Sequence, residues 1–261
     1  MSVDAPVLLD LSRLIWRAWN PIPTGIDRVE LAYAEYFLGE PARAARTIFV
    51  ALNLAGRVGA IPSEEARLFL KRLSELWGGG DHAASPPHRR TVDRTLFKAV
   101  RMQSLGLRRR ILLGGETRLL RMLRGQPGAP IYMLVSHHHL NRSDVIGRLK
   151  ERFGVRFVCL VHDLIPIDFP EYVRPDHDRR HMNRMEAVLR HADGVIVNSS
   201  DTAASLRRFL AKLPEGLQRP IEIRTALLGT PPFPDLPAVQ DVAPRPYFIF
   251  LGTLEPRKNH L

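Results

Sequence analysis

The chain has 261 residues, 45% hydrophobic and 25% charged, a globular balance that excludes general disorder and leaves room for one large domain or two small ones. A single cysteine, Cys159, excludes an internal disulfide and a Cys-rich zinc site and fits a reducing compartment; no apolar run reaches the ~18 residues of a membrane span, and Met1 to Trp19 carries no secretion signal. The formal charge of +11 is concentrated: eleven basic residues between His88 and Arg124 face only Asp93 and Glu116, net +9.

Val7 to Ser12 reads as a strand. Thr24 to Leu38 follows as a helix, with Ile26, Val29, Tyr33, Tyr36 and Phe37 at helical spacing. Thr24 and Asp27 have capping-box spacing at its start. Thr47 to Leu52 is a second strand. Residues from about 56 to 130 then break the rhythm as an insertion, with Gly78-Gly79-Gly80 and Pro86-Pro87 marking loops and the basic segment inside it. The rhythm resumes with strands at Ile131–Ser136, Arg156–His162, Gly194–Asn198 and Ile221–Leu227. Helices fall at Ser143–Phe153, Pro175–His191 and Asp201–Lys212. Near-continuous apolar strands such as Phe157 to Val161 are those of a sheet covered on both faces. The expected fold is α/β, a Rossmann-like parallel sheet with helices on both faces plus a helical basic insertion. Residues 1–230 form the expected domain. Pro231 to Pro246 holds six of the 21 prolines and reads as a stiff linker. Residues 247–261 read as the first strand and turn of a second domain, since a lone strand–turn unit cannot bury its own faces.

In open parallel sheets ligands bind beyond the carboxyl ends of the strands. The residues there are an expected loop from Arg13 to Thr24 with Trp16, Arg17 and Trp19, then His137-His138-His139, His162-Asp163 and Asn198-Ser199-Ser200. Indole, imidazole, hydroxyl and guanidinium groups suit sugars and phosphates; Ser199, Ser200 and Thr202 serve equally well as helix caps. Gly25 lets a ligand approach the backbone at a helix start, where free N–H groups favour an anion. No G-x-G-x-x-G follows the first strand and no G-x-x-x-x-G-K-S/T is present, which argues against dinucleotide and P-loop enzymes. His177 and His181, four apart, read as an exposed pair with no third metal ligand. Cys159 reads as a buried packing residue.

Four segments in order resemble glycosyltransferase family 4, of GT-B architecture: Asp10 to Tyr33, VHDLIPIDFPEY (Val161 to Tyr172), ADGVIVNSSDTAASL (Ala192 to Leu206) and FLGTLEPRKNH (Phe250 to His260). The resemblance implies two Rossmann-like domains with the site between them. It implies retaining, metal-independent transfer from a nucleotide-sugar, GDP- or UDP-linked, to a glycan or lipid-linked acceptor, as in mannosyltransferase-like steps of bacterial cell-surface polysaccharide assembly. By the same resemblance, His162 is the catalytic histidine near the transferred sugar. Gly25, Arg257 and Lys258 face the donor diphosphate, where fixed cations stabilise the leaving group. Arg13, Trp16, Arg17, Trp19, His137, Asn198 and Ser199 line the acceptor or sugar side. No cofactor is implied beyond the nucleotide-sugar. The family's acidic pair in the second domain has no counterpart before residue 261, so this chain alone is expected to be an inactive N-terminal fragment.

The basic segment mixes arginines with leucines. It reads either as a helical excursion with a solvated charged face or, over 88–124, as a contact for an anionic membrane. The latter gives a cytoplasmic protein, peripheral at the inner face of the membrane. Nucleic acid is not an expected partner, since no recognised module is present. The competing reading of the whole chain is a non-catalytic domain that binds a glycan, lipid or partner through the same sheet edge.

Overall fold

The computed structural model describes residues 5–78, 93–214, 220–229 and 248. The first half of the chain forms β1 (Val7–Asp10), α1 (Ser12–Arg17), α2 (Gly25–Leu38), α3 (Pro41–Ala45), β2 (Thr47–Leu52), β3 (Val58–Ala60), α4 (Ser63–Gly78), α5 (Arg94–Leu112) and α6 (Gly115–Leu123). The second half forms β4 (Ile131–Leu134), α7 (Ser143–Phe153), β5 (Arg156–Val161), α8 (Ile165–Asp168), a 3-10 turn (Pro170–Tyr172), α9 (His177–His191), β6 (Gly194–Val197), α10 (Ser200–Ala211) and β7 (Glu222–Thr225).

The strands form one sheet of order β3-β2-β1-β4-β5-β6-β7. Every pairing is parallel except β2 with β3, which is antiparallel. The α/β class stands, and the wholly parallel expectation is corrected at one edge. β3 is only three residues long, too short to announce itself by alternation.

Alternate side chains divide the core in two, as a period of two requires. Leu8, Ile48, Tyr132, Phe157 and Val195 face α6, α7, α9 and α10, meeting Leu119, Leu149, Met185 and Leu206. Leu9, Phe49 and Met133 face the other way, onto α1, α2, α4 and α5, meeting Leu14, Leu31, Phe69 and Leu107. The insertion is therefore half of one core rather than a surface excursion alone. Phe69, Leu70, Leu73 and Trp77 on α4 and Val100, Leu107 and Ile111 on α5 are all buried. Removing a side chain such as Phe69 from such a core costs about 3–5 kcal/mol.

The chain leaves β1 toward β2 and leaves β4 toward β5, so the strand order switches direction between β1 and β4. That switch opens a crevice at the carboxyl edge, between the loops that follow the two strands. The expected loop after β1 is instead largely the helix α1. Leu11, Leu14, Ile15 and Ala18 sit at helical spacing and are all buried, which anchors that segment. The expected linker at 231–246, the expected strand and turn at 247–261 apart from Phe248, and the stretch 79–92 lie outside the described residues.

Candidate functional site

The floor of the crevice is polar although it is buried. Asp10, the last residue of β1, accepts hydrogen bonds from the Ser12 N–H at 2.9 Å and the Tyr132 hydroxyl at 2.9 Å. His139 Nε2 lies 3.3 Å from the same carboxylate. Burial works to raise the Asp10 pKa; the charge and hydrogen bond of His139 and the bonds from Ser12 outweigh it and hold the pKa below its ordinary value. Glu30 lies close by on α2 with both oxygens buried, and its polar neighbour, the Ser136 hydroxyl, is not in good hydrogen-bond geometry. Burial, and then the negative charge of Asp10, push the Glu30 pKa well above the ordinary carboxylate range. The two acids thus divide: Asp10 favours the charged form and Glu30 the neutral one.

One wall is made by α1 and the start of α2. Asp27 is the centre of this wall, with a fully buried side chain. It accepts from Arg13 Nε at 2.7 Å, Arg17 Nε at 2.9 Å and the Thr24 N–H at 2.7 Å. Thr24 Oγ1 accepts in turn from the Asp27 N–H, which completes the expected capping box. Arg13 and Arg17, expected to face an acceptor, are held through their Nε groups by this carboxylate. Gly25 opens α2, and a Cβ built there meets nothing within 4 Å. Its backbone therefore borders open space at the amino end of a 14-residue helix, where unpaired N–H groups favour an anion.

The other wall is a cluster of three imidazoles. The His137 ring centroid lies 5.1 Å from that of His162 and 5.4 Å from that of His181, both edge to face. His162 Nε2 is 2.9 Å from the Val135 carbonyl and His181 Nε2 is 3.0 Å from the Asp163 carbonyl. A carbonyl only accepts, so both rings carry a proton on Nε2, and in the neutral form their lone pair is on Nδ1. The His162 backbone N–H is 3.5 Å from His137 Nε2, which places the His137 proton on Nδ1. Burial depresses all three pKa values, and for His137 the neighbouring rings, Arg184 and Arg13 add to it. His138 falls to about 4, first by burial and then by the charge of His139. His181 is buried, not exposed; its bond to the Asp163 carbonyl draws it inward, while His177 stays at the surface. Among the described residues no group of three or more His, Cys, Asp or Glu is arranged to hold a metal ion.

Trp16 and Trp19 extend the α1 wall toward α5. The Arg108 guanidinium lies 4.0 Å from the Trp16 ring centroid, and Arg101 lies 4.0 Å from that of Trp19. One face of each indole is thus already covered by a cation. The Ser104 hydroxyl and Arg108 also donate to the Ile15 carbonyl, which fastens α5 to α1. On the far side, Ser199 caps α10 by accepting from the Thr202 N–H at 3.0 Å, and Asn198 Oδ1 accepts from the Thr202 hydroxyl at 3.0 Å. Cys159 is buried mid-strand, and burial pushes its thiol pKa up to about 12, far from a nucleophile's range.

The model for Glycosyltransferase Family 4 matches residues 80–215, just over half of the chain. The chain belongs to glycosyltransferase family 4. The matched stretch includes the imidazole cluster and the segments at Val161–Tyr172 and Ala192–Leu206, but not α1, α2 or the chain beyond β6 and α10. No curated protein and no solved structure matches this family 4 chain.

Of the expected site residues, the crevice brings together Arg13, Arg17, Gly25, His137 and His162, with Trp16 beside His138 at a centroid distance of 6.4 Å. Trp19 lies farther along α1's wall, and Asn198 and Ser199 belong to the α10 cap. Arg257 and Lys258 lie outside the described residues. Asp10, Glu30, Ser136 and Arg184 were not foreseen; His139 was expected only as part of the histidine run at the sheet edge, and His181 only as an exposed neighbour of His177. A signal for Glu30 does exist in the sequence. The buried stripe of α2 is Asp27, Glu30, Leu31 and Ala34, spaced as one helical face, whereas the apolar positions that advertise the helix lie to its side and Tyr36 is exposed.

Proposed function

We propose that this family 4 chain is the acceptor-side domain of a retaining, metal-independent glycosyltransferase of GT-B architecture, moving a sugar from a GDP- or UDP-sugar to a glycan or lipid-linked acceptor. The observation that carries the reading is one crevice holding both a neutral, tautomer-fixed His162 and the open backbone of Gly25. In the transfer the bond from the anomeric carbon to the diphosphate oxygen breaks, an acceptor oxygen bonds to that carbon, and the acceptor's proton passes to the departing diphosphate oxygen. The leaving diphosphate gains negative charge, which the free N–H groups at the start of α2 meet. Arg257 and Lys258 supply the cationic fork and point charge in this reading. His162 Nε2–H is committed to Val135, so its remaining ring nitrogen receives a hydrogen bond from a sugar hydroxyl rather than donating one. A donor-hydrolysis screen across nucleotide-sugars with the full-length gene product tests this. Release of a nucleoside diphosphate from one donor class supports it, and release from none contradicts it.

The lipid-linked form of the acceptor is favoured by the outer face of α5. Arg94, Lys98, Met102, Leu105, Arg109 and Leu112 recur three or four residues apart and are all exposed. No acidic residue interrupts them, a pattern suited to an anionic membrane surface. In this reading the protein works at the inner, cytoplasmic face of the membrane. Flotation with anionic liposomes tests the surface. Lys98→Glu with Arg109→Glu should abolish binding, and binding that survives both changes would contradict it.

A further inference from the structure

Arg184 stands out as a part-buried cation with no ion pair among the described residues, offset only by the charge of Asp163. It lies on α9, one turn beyond His181, and is only part-exposed. Among the described residues no carboxylate lies within ion-pair distance of it, and its Nε is buried without a hydrogen-bond partner. That acid, Asp163, has its Oδ1 engaged by the Ile165 N–H at 3.2 Å. Burial lowers the pKa of the Arg184 guanidinium, the charges of Arg13 and Arg180 add to that, and only Asp163 works against it. A part-buried cation without a counter-ion is costly, and an oxyanion relieves that cost through a guanidinium fork. The ring beside it supplies another donor. His137 Nε2 faces the His162 N–H, which leaves His137 Nδ1–H to donate.

We infer that Arg184, Arg13 and His137 form an oxyanion subsite at the corner of the crevice, and that it takes a phosphate group carried by the acceptor. The inference rests on the acceptor-side reading above and names the acceptor's chemistry. Through Arg13, which also donates to Thr24 at the cap of α2, the subsite adjoins the helix start where the donor diphosphate is placed. A phosphate in a lipid-linked head group and a free phosphate ester share the chemistry required.

Calorimetric titration of the full chain with inorganic phosphate and with glycerol phosphate tests it, with a neutral disaccharide as control. Both phosphates should bind and the disaccharide should not drive the same heat. Arg184→Gln should weaken phosphate binding about tenfold or more, the loss of one charge-assisted hydrogen bond. Arg184→Lys should recover part of it. Arg190→Gln, on the exposed side of the same helix, should leave it unchanged, and thermal unfolding of each variant reports whether the fold is kept. Absence of phosphate binding, or equal losses for Arg184→Gln and Arg190→Gln, overturns the subsite. Competition by a nucleoside diphosphate that depends on Arg184 assigns the corner to the donor and overturns the acceptor reading. Phosphate binding without sugar transfer keeps the subsite and contradicts only the proposed reaction.

Discussion

Both oxygens of Glu30 are buried, and burial and the charge of Asp10 raise its pKa against the weaker opposing pull of the Ser136 hydroxyl. Below the ordinary value of 4.5 the folded and unfolded chains both carry the proton, so Glu30 is neutral in the balance. Above it the unfolded carboxyl ionises and the folded one does not, so stability is lost as pH rises toward the raised folded value. Glu30→Gln removes that loss. Its unfolding free energy relative to the parent should improve from acid to neutral pH, by ~1.4 kcal/mol for each unit of elevation. A difference that does not change with pH would contradict the neutral assignment. At this scale the legible residues were those with local partners. Thr24 and Asp27 are three apart and cap each other, so spacing alone announces them. Glu30 and Arg184 owe their character to residues distant in the chain, and spacing says nothing about such neighbours.

Among the elements, α6 and β3 meet backbone to backbone. A Cβ on Gly59 would lie 2.8 Å from both the Cα and the carbonyl carbon of Gly115. Neither can yield as a side chain tip does, so Gly59→Ala should destabilise the fold by about 1–3 kcal/mol. A denaturant midpoint that falls with an unchanged slope would show it. Gly25→Ala is the contrasting case: open space surrounds its Cβ, so its midpoint should hold. The long helices α2, α7, α9 and α10 and the strands β1, β2, β4, β5 and β6 were legible because each repeats its period several times or is continuously apolar. Short elements were not. α1 has six residues and β3 has three, too few to repeat a period, and in α1 the buried Leu14 and Ile15 are followed directly by the aromatic Trp16 and the charged Arg17. α4 was hidden inside a segment defined by its glycines and arginines, although its buried Phe69, Leu70 and Leu73 follow helical spacing.

At the scale of the whole molecule, the carboxyl edge carries a set of buried groups whose pKa values all depart from their ordinary positions. His137, His138, His162 and His181 are held below 6.5. As pH falls below 6.5 the unfolded chain takes up protons that the folded one refuses, so stability declines. For His138 the decline ends near pH 4. Asp10 and Asp27, held below 3.8, extend the loss to lower pH, since their stabilisation disappears as they are protonated. Glu30 opposes the histidines between its own values, one group against four. Thermal unfolding should therefore move to lower temperature as pH drops from neutral toward about 4, and a midpoint flat across that range would contradict the buried neutral cluster. The parallel α/β architecture was legible from the alternation of apolar strands and amphipathic helices. The switch between β1 and β4 was not, because strand order is decided by crossover direction and by which faces the helices cover. Without that switch the sequence pointed to a whole sheet edge, whereas the fold gathers Gly25, His137 and His162 into one part of it.

The most direct test of a reaction centre in that crevice is turnover by His162→Gln in the full-length gene product. The glutamine amide keeps an N–H for the Val135 carbonyl but has no ring nitrogen to receive a sugar hydroxyl. The variant's kcat should fall about 100-fold or more, within the range of a positioned catalytic group, with the unfolding midpoint retained. Sugar transfer at the parent rate would contradict it.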